Sequence, residues 1–213
     1  MSDPRRKKLA SILVKYSVRV EPGEWVVVQG NPISLPLMNA VFEQVLRSGG
    51  YPTVYLNSGE IEETNYLFAT EEQLKWHSPI SELIYSKADV LISIWSTENL
   101  RSLSGIDPQK QRLRNLAHKD IFQTFITRMT NGELKWVGTQ DPCQAYAQEA
   151  DMSLREFESF VYSATLADQT DPIAQWQALK NNQQNLVDWL NGKNNLEVRG
   201  PHVDLTLSCE GRK

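Results

Sequence analysis

Apolar residues recur along this chain in two rhythms. Leu9, Ile12, Leu13 and Tyr16 follow the i, i+3, i+4, i+7 spacing of a helix face, and Met38, Val41, Phe42, Val45 and Leu46 repeat it. Gly49-Gly50 then supplies the stop for the second helix. A looser stripe of Ile173, Trp176, Leu179, Leu186, Trp189 and Leu190 predicts a long late helix. Between such stretches lie short, continuous apolar runs: Trp25–Val28, Val54–Leu56, Val90–Trp95 and Leu134–Val137. Their lack of alternation predicts strands covered on both faces. Strand and helix in turn imply right-handed crossovers, hence an α/β fold with a parallel sheet and helices on both faces. Residues 1–190 read as one such N-terminal domain.

Helix starts are written as capping pairs. Asp3-Pro4, Asp107-Pro108, Asp141-Pro142 and Asp171-Pro172 each place a capping carboxylate before a proline suited to the first helical turn. Thr70 with Gln73, and Ser153 with Glu156, have the spacing of reciprocal capping boxes. The tail differs. Past Asn191-Gly192-Lys193-Asn194-Asn195, two extended segments, Leu196–Arg199 and His202–Ser208, meet at Gly200-Pro201 as a short antiparallel C-terminal hairpin. Val203, Leu205 and Leu207 alternate with Asp204, Thr206 and Ser208, so one face is apolar and has no partner in the remaining sequence. Residues 191–213 therefore read as a linker and the first strands of a second domain.

Composition narrows the class. With 40% apolar residues and 22 Lys+Arg against 26 Asp+Glu, a net charge of −4, the chain is globular and mildly acidic. Basic residues form no patch beyond the first eight positions, which argues against nucleic acid as a partner. No window approaches the roughly 18 apolar residues of a membrane span. The basic start runs into Leu9–Lys15, where a lysine interrupts the apolar stretch, unlike a signal peptide. With only two cysteines and no disulfide framework, the expected setting is the cytoplasm, away from membranes.

Candidate chemistry is sparse. The three histidines, His77, His118 and His202, are scattered, and Cys143 and Cys209 lack zinc-site spacing. Glycine-rich phosphate loops and a nucleophile elbow are missing. His202 and Asp204, two apart, fall on one side of a strand where ligands can converge, but a site needs a third donor and the pair reads as a solvated face. Cys143 follows Pro142 at a predicted helix start, where a thiol is acidified; no base accompanies it, and it reads as a small half-buried residue. Ligands of open α/β sheets bind beyond the carboxyl ends of strands. Here those loops are Gln29–Pro32, Asn57–Glu60, Ser96–Asn99 and Gly138–Asp141, polar enough to line a crevice. Trp76, Trp95, Trp136 and Trp176, each inside an apolar segment, are expected in the core.

The stretch from Gln140 to Glu158, QDPCQAYAQEADMSLREFE, resembles a segment of the thermophilic-type metallo-aminopeptidases, the aminopeptidase T and aminopeptidase S family, that reads P-[TS]-x-x-x-A-Q-x-A-x-M-S-x-x-E-[FY]-E. Cys143 stands where that pattern has Thr or Ser. Val18–Val26, Gly50–Val54, Ala88–Val90, Asp171–Trp176, Asp204–Leu207 and Gly211-Arg212 look like the same family, in order along almost the whole chain.

The resemblance implies an enzyme that removes single amino acids from peptide N-termini with two divalent ions (Zn, Co, Mg or Mn). It also implies a homodimer. The family's metal ligands lie in a C-terminal domain that begins beyond the Gly-Arg position, and only Lys213 follows Arg212 here. No catalytic, cofactor-binding or metal-ligating residue is therefore assigned to any position, and the chain alone is expected to bind no cofactor and to be inactive. Peptide substrates would be met by the domain not present. Two readings remain: the N-terminal piece of such an aminopeptidase, or a stand-alone, non-enzymatic α/β binding or interaction module derived from the family.

Overall fold

The computed structural model describes residues 3–211. Met1, Ser2, Arg212 and Lys213 lie outside the described residues, and with them the arginine of the Gly-Arg pair. The chain divides into two units, one up to Pro172 and one from Ile173 onward. Among the described residues no helix is long and apolar enough to cross a membrane.

The first unit opens on α1 (Pro4–Ser11), which widens into a π turn over Ile12–Ser17. The Asp3 carboxylate accepts from the Arg5 backbone N–H, the cap that the Asp-Pro pair predicts. Then come β1 (Trp25–Gly30), α2 (Leu35–Arg47), β2 (Tyr51–Leu56), α3 (Gly59–Phe68), α4 (Glu71–Lys75), α5 (Pro79–Lys87) and β3 (Val90–Trp95). α6 (Pro108–Ala117), α7 (Lys119–Thr130), β4 (Lys135–Gln140), α8 (Gln144–Glu149) and α9 (Leu154–Ala164) complete it. Both capping boxes form, Thr70 with Gln73 and Ser153 with Glu156. Gly49 takes the left-handed conformation, φ +83°, that ends α2.

All four strands are parallel, in the order β2-β1-β3-β4. The central pair explains the continuous apolar runs: Val26–Val28 and Val90–Ile92 are at most 1% exposed. Side chains alternate along each strand, so Val27 and Leu91 face one way and pack with Ile84 of α5 and with Ala88 at its end, beside Tyr85 of α5 and Phe125 of α7. Their neighbours Val26, Val28 and Ile92 face the opposite layer, where α2 packs on the sheet and α1 packs on α2. β2 departs from the expectation of two covered faces. It forms an edge, leaving Tyr51, Val54 and Leu56 exposed.

The tryptophans correct a second expectation. Trp76, Trp95 and Trp136 are 64%, 48% and 39% exposed and are not core residues. Trp95 and Trp136 instead lie side by side, ring centroids 6.2 Å apart, with the Phe125 ring edge-on to Trp136 at 6.0 Å. The Trp136 indole N–H donates to Ser93 Oγ, so its polar edge is satisfied from the strand below.

The second unit contains α10 (Pro172–Leu190) and an antiparallel hairpin of β5 (Asn195–Gly200) and β6 (Val203–Ser208). Cross-strand partners share a face, and the register pairs Leu196 with Leu207 and Val198 with Leu205. Asn195, Glu197 and Arg199 pair with Ser208, Thr206 and Asp204 on the other face. The hairpin is thus two-faced as its alternation predicts, and Val198, Val203, Leu205 and Leu207 are 44–49% exposed.

Candidate functional site

Strand order decides where a ligand crevice forms. After β1 the chain moves outward to β2, then returns past β1 to place β3 on its other side. Consecutive crossovers therefore leave β1 and β3 in opposite directions, and their carboxyl ends part over a topological switch point. The loops singled out for polarity converge there. Asn31, 7% exposed, accepts the Ile33 N–H on Oδ1 at 3.0 Å and donates from Nδ2 to Glu98 Oε2 at 3.0 Å. Ser34 Oγ and Ser96 Oγ meet at 2.6 Å, tying the start of α2 to the end of β3. Backbone bonds brace the rim: Asn57 N–H to Gly30 O and Asp141 N–H to Trp95 O, each 2.9 Å.

This frame encloses a cleft of about 250 Å3, into which Asn31, Ser58, Thr97, Ser102, Glu62 and Tyr146 project. Gly30 matters for its shape: a Cβ there would lie 2.8 Å from the Ile94 carbonyl oxygen. Hydroxyls, amides and the Glu62 carboxylate line the cleft, with neither histidine nor cysteine among the lining residues. Such a lining can hold a polar ligand by hydrogen bonds.

Behind the rim lies a buried ionic group. Asp141, 2% exposed, is not the helix cap that Asp141-Pro142 predicts; α8 begins at Gln144, with Cys143 in the capping position. Burial pushes the Asp141 carboxyl up to about 6, opposed by the Arg6 guanidinium and the Ser34 hydroxyl. Arg6 Nε stands 3.9 Å from Asp141 Oδ1, too far for a hydrogen bond, and both atoms are buried without a partner. Tyr162, fully buried with its hydroxyl likewise unpartnered, is pushed up to about 12 by burial, and the Arg5 guanidinium lies 4.5 Å above its ring. Only the aspartate was visible in the sequence, and in another role.

The remaining candidates scatter. Cys143 is buried and Cys209 partly so, both as free thiols. His202 occupies the two-residue turn Pro201-His202, not the strand, so it does not share a face with Asp204; Asp204 pairs across from Arg199 on the polar side. His77 and His118, by contrast, come together, ring centroids 5.9 Å apart. Among the described residues no three or more His, Cys, Asp or Glu side chains gather in a way that could hold a metal ion.

Comparison with known proteins gives a consistent picture. A family model described as thermophilic metalloprotease (M29) matches residues 2–213. Aminopeptidase T of Thermus thermophilus is 22% identical over 214 residues, covering 94% of this chain and 52% of that protein. Aminopeptidase 2 of Geobacillus stearothermophilus is 22% identical over 197 residues, covering 87% of this chain and 48% of its own length. The solved structure of wild-type AmpT from Thermus thermophilus superposes with a TM-score of 0.77 at 20% identity, over 96% of this chain and 53% of that one. The chain spans about half the length of the relatives it matches.

Proposed function

The chain belongs to the thermophilic metalloprotease (M29) family, and from that premise we propose that it is the N-terminal α/β half of a metal-dependent aminopeptidase that releases single amino acids from peptide N-termini. The observation that carries this reading is the AmpT superposition, which runs through 96% of this chain while using 53% of the other. The hairpin supports it. Its exposed apolar face of Val198, Val203, Leu205 and Leu207 is a surface that a further layer of the same polypeptide would cover.

On this reading the two divalent ions, Zn, Co, Mg or Mn, belong to the other half, and supply there an activated water and an anchor for the substrate amine. The described residues here offer no donor set for such a pair. This half serves as scaffold, as a wall of the substrate cleft and as a contact in a homodimer, in the cytoplasm. Alone, it does not turn over substrate.

The test has two arms. Reading the coding frame past Lys213 should reveal a second segment bearing histidines and carboxylates, and the longer protein should hydrolyse a leucyl anilide in a chelator-sensitive way. The 213-residue chain with Co2+ or Zn2+ should release no amine. Chelator-sensitive turnover by the short chain overturns its proposed inactivity; a stop codon directly after Lys213 overturns the half-enzyme reading in favour of a stand-alone binding module.

A further inference from the structure

A groove of about 570 Å3 opens where β2 hands over to α3, and helix faces form two of its walls. On α3, Glu62 and Asn65 lie three positions apart; on α6 and its end, Arg114 and His118 lie four apart. Each pair therefore shares one helix face, with Cβ atoms about 5–6 Å apart. The Arg114 guanidinium stands 5.7 Å over the ring of Tyr66, a buried residue of α3. Burial and Glu62 raise the Tyr66 hydroxyl and Arg114 lowers it, so both charges surround one phenol. They do not pair with each other: among the described residues no carboxylate lies within 4.0 Å of Arg114.

The polar groups on these walls are left uncommitted in complementary kinds. His118 Nδ1 lies 2.8 Å from the Arg114 carbonyl oxygen, which can only accept, so Nδ1 carries the proton and Nε2 keeps its lone pair. Gln73 Oε1 accepts the Thr70 N–H of the capping box, which leaves the Gln73 amide nitrogen free to donate. The side chains of Glu62, Asn65 and Arg114 have no hydrogen-bond or ion-pair partner among the described residues. Trp76 and Ile61, 64% and 72% exposed, add an apolar wall to the same groove.

A carboxylate, a guanidinium, a ring acceptor, two amide donors and an apolar wall are together the complement of a short peptide. We propose that this groove binds a zwitterion of dipeptide size, with its ammonium on Glu62, its carboxylate on Arg114, its peptide N–H on His118 Nε2, its carbonyl on Gln73 and Asn65, and an apolar side chain against Trp76. Glu62 decides against a purely anionic occupant such as a nucleotide, whose phosphate it would repel. The volume is ample for a molecule of about 20 non-hydrogen atoms. Binding needs neither a metal nor a second half, so the proposal goes beyond the aminopeptidase reading and does not depend on it. It departs from the expectation that peptides are met only by the domain not present.

The experiment titrates the purified 213-residue chain with alanyl-phenylalanine, in chelator, by calorimetry and tryptophan emission. One peptide should bind per chain with a Kd of about 0.1–1 mM, the efficiency expected of a ligand this size. In the unmutated chain, the C-terminal amide of the same peptide should bind roughly tenfold more weakly and its N-acetyl form roughly fivefold, since each loses a charge-assisted contact. Phenylalanine, with both charges but no peptide bond, should also bind roughly fivefold more weakly. Arg114→Gln should then bind acid and amide alike to within about twofold, and Glu62→Gln should do the same for the free and acetylated peptides. A merely structural role for either residue would leave those ratios unchanged. Trp76→Phe should abolish the emission change while the heat of binding remains. Absence of binding up to about 10 mM peptide, tenfold above the weakest Kd expected, overturns the proposal. Equal affinity for the acid, amide and acetyl forms in the unmutated chain, or phenylalanine binding as tightly as the peptide, overturns it as well. So does tighter binding of inorganic phosphate or adenosine monophosphate.

Discussion

Asp141 is the group whose replacement tests the electrostatics of this fold most sharply. Its carboxyl is 2% exposed, and burial raises it from its ordinary 3.8 to about 6. A raised carboxyl has the opposite sign from a salt-bridged one. The native state takes up the proton before the unfolded chain does, so acidification from neutral pH towards 3.8 stabilises, and stability is lost as pH rises through 6. About two pKa units correspond to ~3 kcal/mol between the fully protonated and fully ionised limits. Between about pH 7.5 and pH 5 the linkage relation recovers roughly half of it. Asp141→Asn keeps the shape and removes the titration. Urea melts of both proteins, followed by tryptophan emission across that range, should therefore show the wild type gaining about 1–2 kcal/mol relative to the variant on acidification. The difference is the measured quantity, because every other carboxylate cancels, including Asp3, held low by its bond to Arg5. If the two proteins keep a constant difference in stability at every pH, the carboxyl is ionised throughout and its pairing with Arg6 is stronger than 3.9 Å implies.

Four further outcomes follow from packing and capping. Gly30→Ala drives a Cβ to 2.8 Å from a backbone oxygen of β3, so the sheet must spread; chemical denaturation should show a loss of about 1–3 kcal/mol. Gly138→Ala meets the Trp95 ring at 2.4 Å, a closer clash, yet that ring is half-exposed and can swing aside, so the loss should be smaller than at Gly30. Thr70→Ala and Ser153→Ala each remove the hydroxyl of a complete capping box and should cost about 1 kcal/mol in thermal or urea melts. Leu91→Ala should cost about 2–5 kcal/mol in the buried centre of the sheet, whereas Leu205→Lys, at 44% exposed, should stay within about 0.5 kcal/mol.

What the sequence disclosed depended on whether the cause was local. β3 was readable to the residue, because burial on both faces of its centre writes an apolar run from Val90 to Trp95 that only Ser93 interrupts. The capping boxes were equally legible, since both partners sit within four residues. Val54–Leu56 looks the same as a buried strand, yet belongs to an edge; strand order is a property of the whole topology and leaves no mark on three residues. Asp141-Pro142 repeats the dipeptide of Asp3-Pro4 and Asp107-Pro108, and the outcome differs because β4 runs to Gln140 and carries the aspartate straight into the layer beneath α1. The tryptophans failed for a related reason. An apolar segment says that some side chains are buried, whereas Trp95 and Trp136 take the strand positions on a face that helices cover incompletely.

The histidines show how the same limit acts on a site. Spacing along the chain can nominate only residues on one element, and it nominated His202 with Asp204, which the two-residue turn of the hairpin then separates. The pair that does meet, His77 and His118, is set by the packing of α4–α5 against α6–α7, two helical crossovers on consecutive connections of the sheet. No local pattern links them. The signal the sequence did hold was weaker: each histidine lies next to a helix start, His118 just before Lys119 and His77 just before the Ser78 cap of α5, where the backbone turns and side chains fall into joints between helices. Once two such joints are stacked, the imidazoles meet across 41 positions of chain, a proximity that only the tertiary packing specifies.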